Sequence, residues 1–121
     1  MEKHNDLSRL LDFYGDVLSD RQKLAMQLYY NDDLSLSEVA EELNISRQGV
    51  RASLKKSEEQ LLFWESKLCL CALFDKTMRD IQKLHWYVGI IRERGEESRD
   101  EMITAYVDEM DSFIMSIEKN L

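Results

Sequence analysis

Two serine caps, Ser35 and Ser46, bracket a stretch with room for one short helix, one tight corner and the start of a second helix. Ser35 and Glu38 have the Ser-x-x-Glu spacing of a capping box, which begins the first helix. Val39, Ala40 and Leu43 give that helix one apolar face, and the small Ala40 allows a neighbouring helix to cross close by. Asn44 marks the corner, because asparagine tolerates left-handed backbone angles and can end a helix. Ile45 fills the space under the turn. Ser46 then caps a second helix, which buries Val50 and Leu54 at i and i+4.

This is the pattern of a helix-turn-helix, whose second helix is able to enter a DNA major groove. The charges divide the same way. Residues 46–56 carry Arg47, Arg51, Lys55 and Lys56 without an acid, a net of +4. Residues 31–45 carry Asp32, Asp33, Glu38, Glu41 and Glu42 without a base, a net of −5. Phosphate contact is therefore confined to the second helix. Arg47, Gln48 and Arg51 are placed to reach base edges, where arginine suits guanine and glutamine suits adenine. Ser46, Lys55 and Lys56 are placed nearer phosphates. Gly49 leaves one position of this face bare.

The rest of the chain reads as helix as well. It has no proline, four glycines, 33% charged and 44% hydrophobic residues in 121, a composition for long amphipathic helices and an all-α fold. Leu7, Leu10, Leu11, Tyr14 and Leu18 mark a first helix over 5–18. Ser19 and Gln22 repeat the capping-box spacing and open a helix to about residue 31, with Leu24 and Leu28, and after them Met26 and Tyr29, as its inward-facing candidates. The helix that starts at Ser46 meets no stop signal before residue 93. Unbroken, it would run about 72 Å at 1.5 Å per residue, so a bend is expected near 64–70. Leu61-Leu62-Phe63-Trp64 is apolar all round and predicts burial on more than one side.

Beyond the bend, Leu70, Phe74, Thr77, Ile81, Leu84, Val88 and Ile91 alternate steps of four and three, a heptad-like seam. Gly95, with Arg92 and Arg94 before it, looks like a helix end, and Ser98 with Glu101 like a third capping box. The last helix presents Ile103, Tyr106, Val107, Met110, Phe113, Ile114, Ile117 and Leu121 on one broad face. The expected organisation is a helix-turn-helix domain over 1–66 and a helical hairpin over 67–121. Two helices alone do not cover such wide faces. Phe74, Ile81, Leu84, Val88, Tyr106, Met110, Phe113 and Ile117 are accordingly expected to meet a partner or a second copy, with a homodimer preferred.

Other classes of function find little support. No glycine-rich phosphate loop, Cys-x-x-Cys or His-x-x-x-His is present, and His4 and His85 stand apart, so neither catalysis nor a cofactor is expected. Cys69 and Cys71, two residues apart on a helix, point about 200° from each other and are expected as free thiols without a metal. No apolar run is long enough to span a bilayer and the start is polar, which predicts a cytoplasmic protein. The net charge of −8 argues against strong nonspecific DNA binding, so any affinity must come from the patch at 46–56 and be salt-sensitive.

The segments Leu11-Asp-Phe-Tyr-Gly-Asp-Val-Leu18, Leu28-Tyr-Tyr30, Asp33-Leu-Ser-Leu-Ser-Glu-Val-Ala-Glu-Glu-Leu43 and Ile45-Ser-Arg-Gln-Gly-Val50 resemble the YlxM family of small bacterial proteins. The resemblance is close over the first 60-odd residues, and the motif is also similar to region 4 of bacterial sigma factors. Gly49 and Arg51 stand where Ala and Tyr are commoner in such proteins. The resemblance implies a bacterial, cytosolic helix-turn-helix protein and, from the neighbourhood of its genes, a regulator or accessory of the signal recognition particle pathway. Its partner would be DNA or, alternatively, the particle's GTPase or RNA, reached as a non-DNA-binding adaptor.

Overall fold

The computed structural model describes the backbone of residues 2–121 and side chains from His4 onward. Its helices are α1 (Glu2–Tyr14), α2 (Asp20–Met26), α3 (Leu36–Leu43), α4 (Arg47–Leu68), α5 (Leu70–Ser98) and α6 (Glu101–Lys119). A short 3-10 turn, Gly15–Val17, follows α1, and a wide π turn, Gln27–Asn31, continues α2. The fold is all-α. Two compact units divide it, residues 1–71 and residues 72–121.

In the first unit the caps lie where the serines put them. Ser19 and Ser35 each accept the amide of the residue three on, and Gln22 and Glu38 reach back to the serine amides in reciprocal capping boxes. That contact with the Ser35 N–H holds the Glu38 carboxyl below its ordinary pKa. Asn44 takes the left-handed angles (φ 54°), and the amides of Asn44 and Ile45 close back on Glu41 and Ala40. That is a Schellman-type end.

The core of this unit is built from Leu7, Leu10, Leu11, Tyr14, Leu18, Ala25, Met26, Tyr30, Val39, Ala40, Val50, Leu54, Leu61 and Cys71. Two expectations need correction. Met26 faces inward with Ala25 while Leu24 is exposed, and the π turn that follows widens the repeat so that Tyr30 enters the core and Leu28 and Tyr29 pack partly buried against it. Only Leu61 of the apolar quartet is buried. Leu62, Phe63 and Trp64 are exposed, since α4 meets the core along the single stripe Val50, Leu54, Ser57, Leu61. Ser57, fully buried, donates its hydroxyl to the Ser53 carbonyl (2.8 Å) and so enters the core satisfied.

The helix from Ser46 breaks at Cys69, which adopts left-handed angles (φ 55°). The break has a cause outside the helix. Tyr14 Oη donates to Glu65 Oε1 (2.5 Å) and accepts from the Leu70 amide (3.0 Å), while Glu65 Oε1 accepts from the Cys71 amide (3.0 Å). The first amides of α5 thus find partners that a continuous helix would have supplied from its own carbonyls. Both cysteines are free, Cys69 exposed and Cys71 buried.

The second unit is a hairpin of α5 and α6. Ile81 and Val88 of α5 meet Val107 and Ile114 of α6, with Met78, Ile103 and Met110 packed against them. Ile81 and Val88 are therefore consumed by the hairpin's own seam instead of facing a partner. Leu84 and Ile91 lie on its flank, exposed. The seam runs through Met78, Ile81, His85, Val88, Arg92 and Gly95. A straight helix drifts off a strict seven-residue repeat, so the heptad-like reading slid off the contact line. His85 Nε2 meets Glu118 (2.5 Å), and Arg92 donates to Asp108 (2.8 Å) and to Asp111.

The turn also differs from expectation. α5 runs through Gly95 to Ser98, and Arg99 takes the left-handed position (φ 54°), with the Asp100 amide closing on Gly95. Gly95 is buried in the seam, where an added Cβ would stand 2.7 Å from Ile103 Cγ2. Asp100, not Ser98, caps α6, accepting the amides of Met102 and Ile103. Ser98 turns its hydroxyl back onto the Arg94 and Gly95 carbonyls.

Candidate nucleic-acid interface

The exposed half of α4 is defined by what its other half buries. At 100° per residue, Val50, Leu54, Ser57 and Leu61 share one face. Gln48, Ala52, Lys55 and Glu59 fall roughly opposite, with Arg51 and Lys56 flanking them, and all six are exposed. The outward stripe at the helix start therefore carries an amide, a methyl and three cations. Arg47 lies closer to the core side. It lines a shallow pocket with His4, Tyr29, Asp33 and residues 34–37, beside the N-terminus of α3.

Three contacts hold this helix in register against the rest of the unit. Gln22 Nε2 donates to Gln60 Oε1 (3.0 Å), Tyr30 donates to Glu58, and Tyr14 to Glu65. The carboxylate beside it and burial raise the Tyr30 pKa well above its ordinary value; burial comes first among the causes. The tyrosine therefore stays protonated and keeps its donor role.

Arg47, Arg51, Lys55 and Lys56 make no ion pair with another described residue. Some cations elsewhere are engaged. Lys23 pairs with Asp16 (2.8 Å) and Lys76 with Asp80 (3.1 Å). Unpaired cations on one exposed helical face, at the positive end of the helix dipole, are a phosphate-binding arrangement. Exposed Glu41 and Glu42 on α3 and Glu59 on α4 bound it on either side. The basic surface is thus only about two and a half helical turns long.

All six residues singled out in the sequence, Ser46, Arg47, Gln48, Arg51, Lys55 and Lys56, are exposed within this segment. Ser46 Oγ accepts the Gly49 amide (3.0 Å), which leaves its own proton free to donate. Gly49 has a packing role instead of being a bare spot. An added Cβ would stand 3.2 Å from Ser46 Oγ and 3.6 Å from Ile45 Cδ1, so the glycine lets the corner close. Ala52 was not singled out, yet it is central to the outward stripe, where a methyl suits apolar contact with thymine. Its signal was the same helical arithmetic, three residues on from Gly49 and four from Gln48.

Of the residues expected at a partner surface, Leu84, Tyr106, Phe113 and Ile117 are exposed, Phe74 and Met110 are half-buried, and Ile81 and Val88 are buried in the hairpin. Among the described residues no cluster of three metal-ligating side chains occurs, and no helix is long and apolar enough to cross a membrane.

Residues 1–100 match the model of a family described as "Putative helix-turn-helix protein, YlxM / p13 like". The chain belongs to that family. A UPF0122 protein of Thermoanaerobacter sp. (strain X514) is 40% identical over 104 residues, 86% of each chain. A UPF0122 protein of Bacillus thuringiensis (strain Al Hakam) is 38% identical over 99 residues, 82% of this chain and 90% of the relative. The family match spans the whole helix-turn-helix and reaches through α5, ending where α6 begins.

Proposed function

We propose that this family member binds nucleic acid through the N-terminal half of α4, and that it serves as a regulatory or accessory protein of the signal recognition particle pathway. The observation that carries the binding claim is the exposed stripe of Gln48, Arg51, Ala52 and Lys55, flanked by Arg47 and Lys56, whose cations have no partner within the described chain. Duplex DNA is the favoured ligand, because a capped helix presenting arginine, glutamine and a methyl outward matches the chemistry of major-groove edges. The link to protein targeting is carried by the resemblance in sequence described above, and the expected location is the cytoplasm.

Anisotropy of labelled duplex from the DNA upstream of its own gene tests the binding. Two charged phosphate contacts, from Lys55 and Lys56, imply that raising salt from 50 to 200 mM weakens binding about tenfold. Lys55→Ala removes one contact and is expected to lower the slope of log K against log salt by about 0.9. No binding to that duplex at low salt would remove the DNA reading. A second reading has its own support: four cations in a protein of net charge −8 make a small electrostatic anchor. Under it the same face meets the particle's GTPase or its RNA. Retention of either on the immobilised chain, with no retention of DNA, is its expected result.

A further inference from the structure

The hairpin is two-sided. Arg92 with Asp108 and Asp111, and His85 with Glu118, lie along one edge of the seam. The opposite flank is apolar. Placed at 100° per residue, Leu84, Tyr87 and Ile91 of α5 fall within about 60° of one another, roughly a quarter turn from Ile81 and Val88. Tyr106, Phe113 and Ile117 of α6 do the same relative to Val107 and Ile114, and on the same side of the hairpin. These six side chains are between 42% and 72% exposed. Only four side chains, Ile81, Val88, Val107 and Ile114, are buried in the hairpin's own core. Such a core is thin for two helices of this length.

We infer that the occupant of this face is a second copy of the chain, with α5 of one protomer laid antiparallel on α6 of its partner about a two-fold axis running along the hairpin. Three observations select that occupant and that arrangement. First, an axis along the helices keeps each residue at its own level. The contacts of Arg92 with Asp108 and Asp111, and of His85 with Glu118, fix those levels within one hairpin. Leu84 then meets Ile117 of the partner subunit, Tyr87 meets the partner's Phe113, and Ile91 meets the exposed side of the partner's Met110, while Tyr106 closes the end of the face near the turn. Second, the outer borders are complementary. Lys83 and Arg94 border the face on α5, where Lys76 is already paired with Asp80 (3.1 Å), while Glu109 with Ser112 and Ser116 borders it on α6. Arg94 comes level with Glu109 of the partner subunit, twice by symmetry. The alternative two-fold axis, across the helices, stacks α5 on α5 and sets the basic borders against each other and Glu109 against its own copy. Third, the exposed area of the six side chains is about 600 Å² per copy, hence about 1,200 Å² in a pair before any rim is counted. That reaches the size of a specific interface. The inference stands independently of nucleic-acid binding.

Light scattering on the eluting full-length chain, at concentrations up to about 100 μM, is the test. The expected mass is twice 14.3 kDa. Phe113→Glu, at a side chain 72% exposed in the single chain, should keep its helical far-UV spectrum and raise the dimer dissociation constant at least a hundredfold. Arg94→Glu and Glu109→Arg should each weaken the dimer, and the two together should restore it, since each swapped residue then meets its opposite charge. A helical species that stays at 14.3 kDa overturns the inference, whatever other protein covers the face. A dimer indifferent to Phe113→Glu overturns the choice of face. Single swaps that weaken without mutual rescue overturn the arrangement.

Discussion

Removing one oxygen at Tyr14 tests why the long helix stops at residue 68. Tyr14 is 4% exposed, and its hydroxyl stands between Glu65 Oε1 at 2.5 Å and the Leu70 amide at 3.0 Å. In Tyr14→Phe the ring still packs, but the carboxylate loses its buried donor and the first amide of α5 its acceptor. A hydrogen bond to a charged group contributes about 1.5–3 kcal/mol, and the exposed Leu70 lets water recover part of its share. The expected loss is about 2 kcal/mol. For a unit of 71 residues this lowers the melting temperature by about 10 °C. The same substitution has a pH signature. Burial, and then the hydrogen bond to Glu65, push the Tyr14 pKa up from 10 to about 12. The folded state therefore favours the protonated phenol. Its contribution is complete below pH 10 and disappears as pH rises to about 12. Tyr30 titrates in the same sense and remains in the variant, so the wild type should lose more stability across this window than Tyr14→Phe does. Urea unfolding followed by circular dichroism, repeated at neutral and alkaline pH, measures both effects. A neutral-pH change under about 0.5 kcal/mol, or parallel alkaline profiles, would refute the assigned role.

Other substitutions separate local causes. Ser46→Ala removes the acceptor of the Gly49 amide and should cost about 1 kcal/mol by urea titration while also weakening nucleic-acid binding, as the reading helix frays at its start. Gly95→Ala and Gly89→Ala form a matched pair on one helix. The first puts a Cβ 2.7 Å from Ile103 Cγ2, and the strain of about 1–3 kcal/mol outweighs the gain in helix propensity. The second meets nothing within 4 Å and should stabilise the hairpin by up to about 1 kcal/mol; hydrogen exchange along α5 distinguishes the two. Arg99→Gly relieves a left-handed non-glycine residue and should raise stability by about 0.5–1 kcal/mol in the same assay.

The parts of the fold that could be read directly are those whose cause lies within four residues. Ser19, Ser35 and Ser46 announce helix starts because an N-cap bonds an amide two or three positions away, and the turn at Asn44 is equally local. The candidate interface inherits this legibility, since a cap plus helical arithmetic fixes which way Gln48, Arg51 and Lys55 point. Helix ends were harder, because glycine was the expected signal. Four left-handed helix ends belong to Asp33, Asn44, Cys69 and Arg99, and no glycine among the described residues has a positive φ. Cys69 adopts that conformation because Tyr14, far away in sequence, binds the start of α5. Gly95 is a glycine because Ile103 needs its space. Both causes are tertiary and leave no mark in the neighbouring sequence.

The same distinction explains the broad apolar faces. Hydrophobic spacing located α5 and α6 but assigned Leu84 and Ile91 to the same seam as Ile81 and Val88. One contact line is about a quarter turn from the other, and apolar residues occupy both. The internal line is the one on which Ile81 and Val88 are buried against Val107 and Ile114, with the ion pairs of Arg92 and the contact of His85 with Glu118 along its edge. Apolar area left outside that line is surface for association. The two units use charge in opposite ways. In the hairpin, Arg92 and His85 meet acids along the seam. On α4 the cations are left unmatched, and an unmatched set on an exposed helix is what an anionic ligand can neutralise.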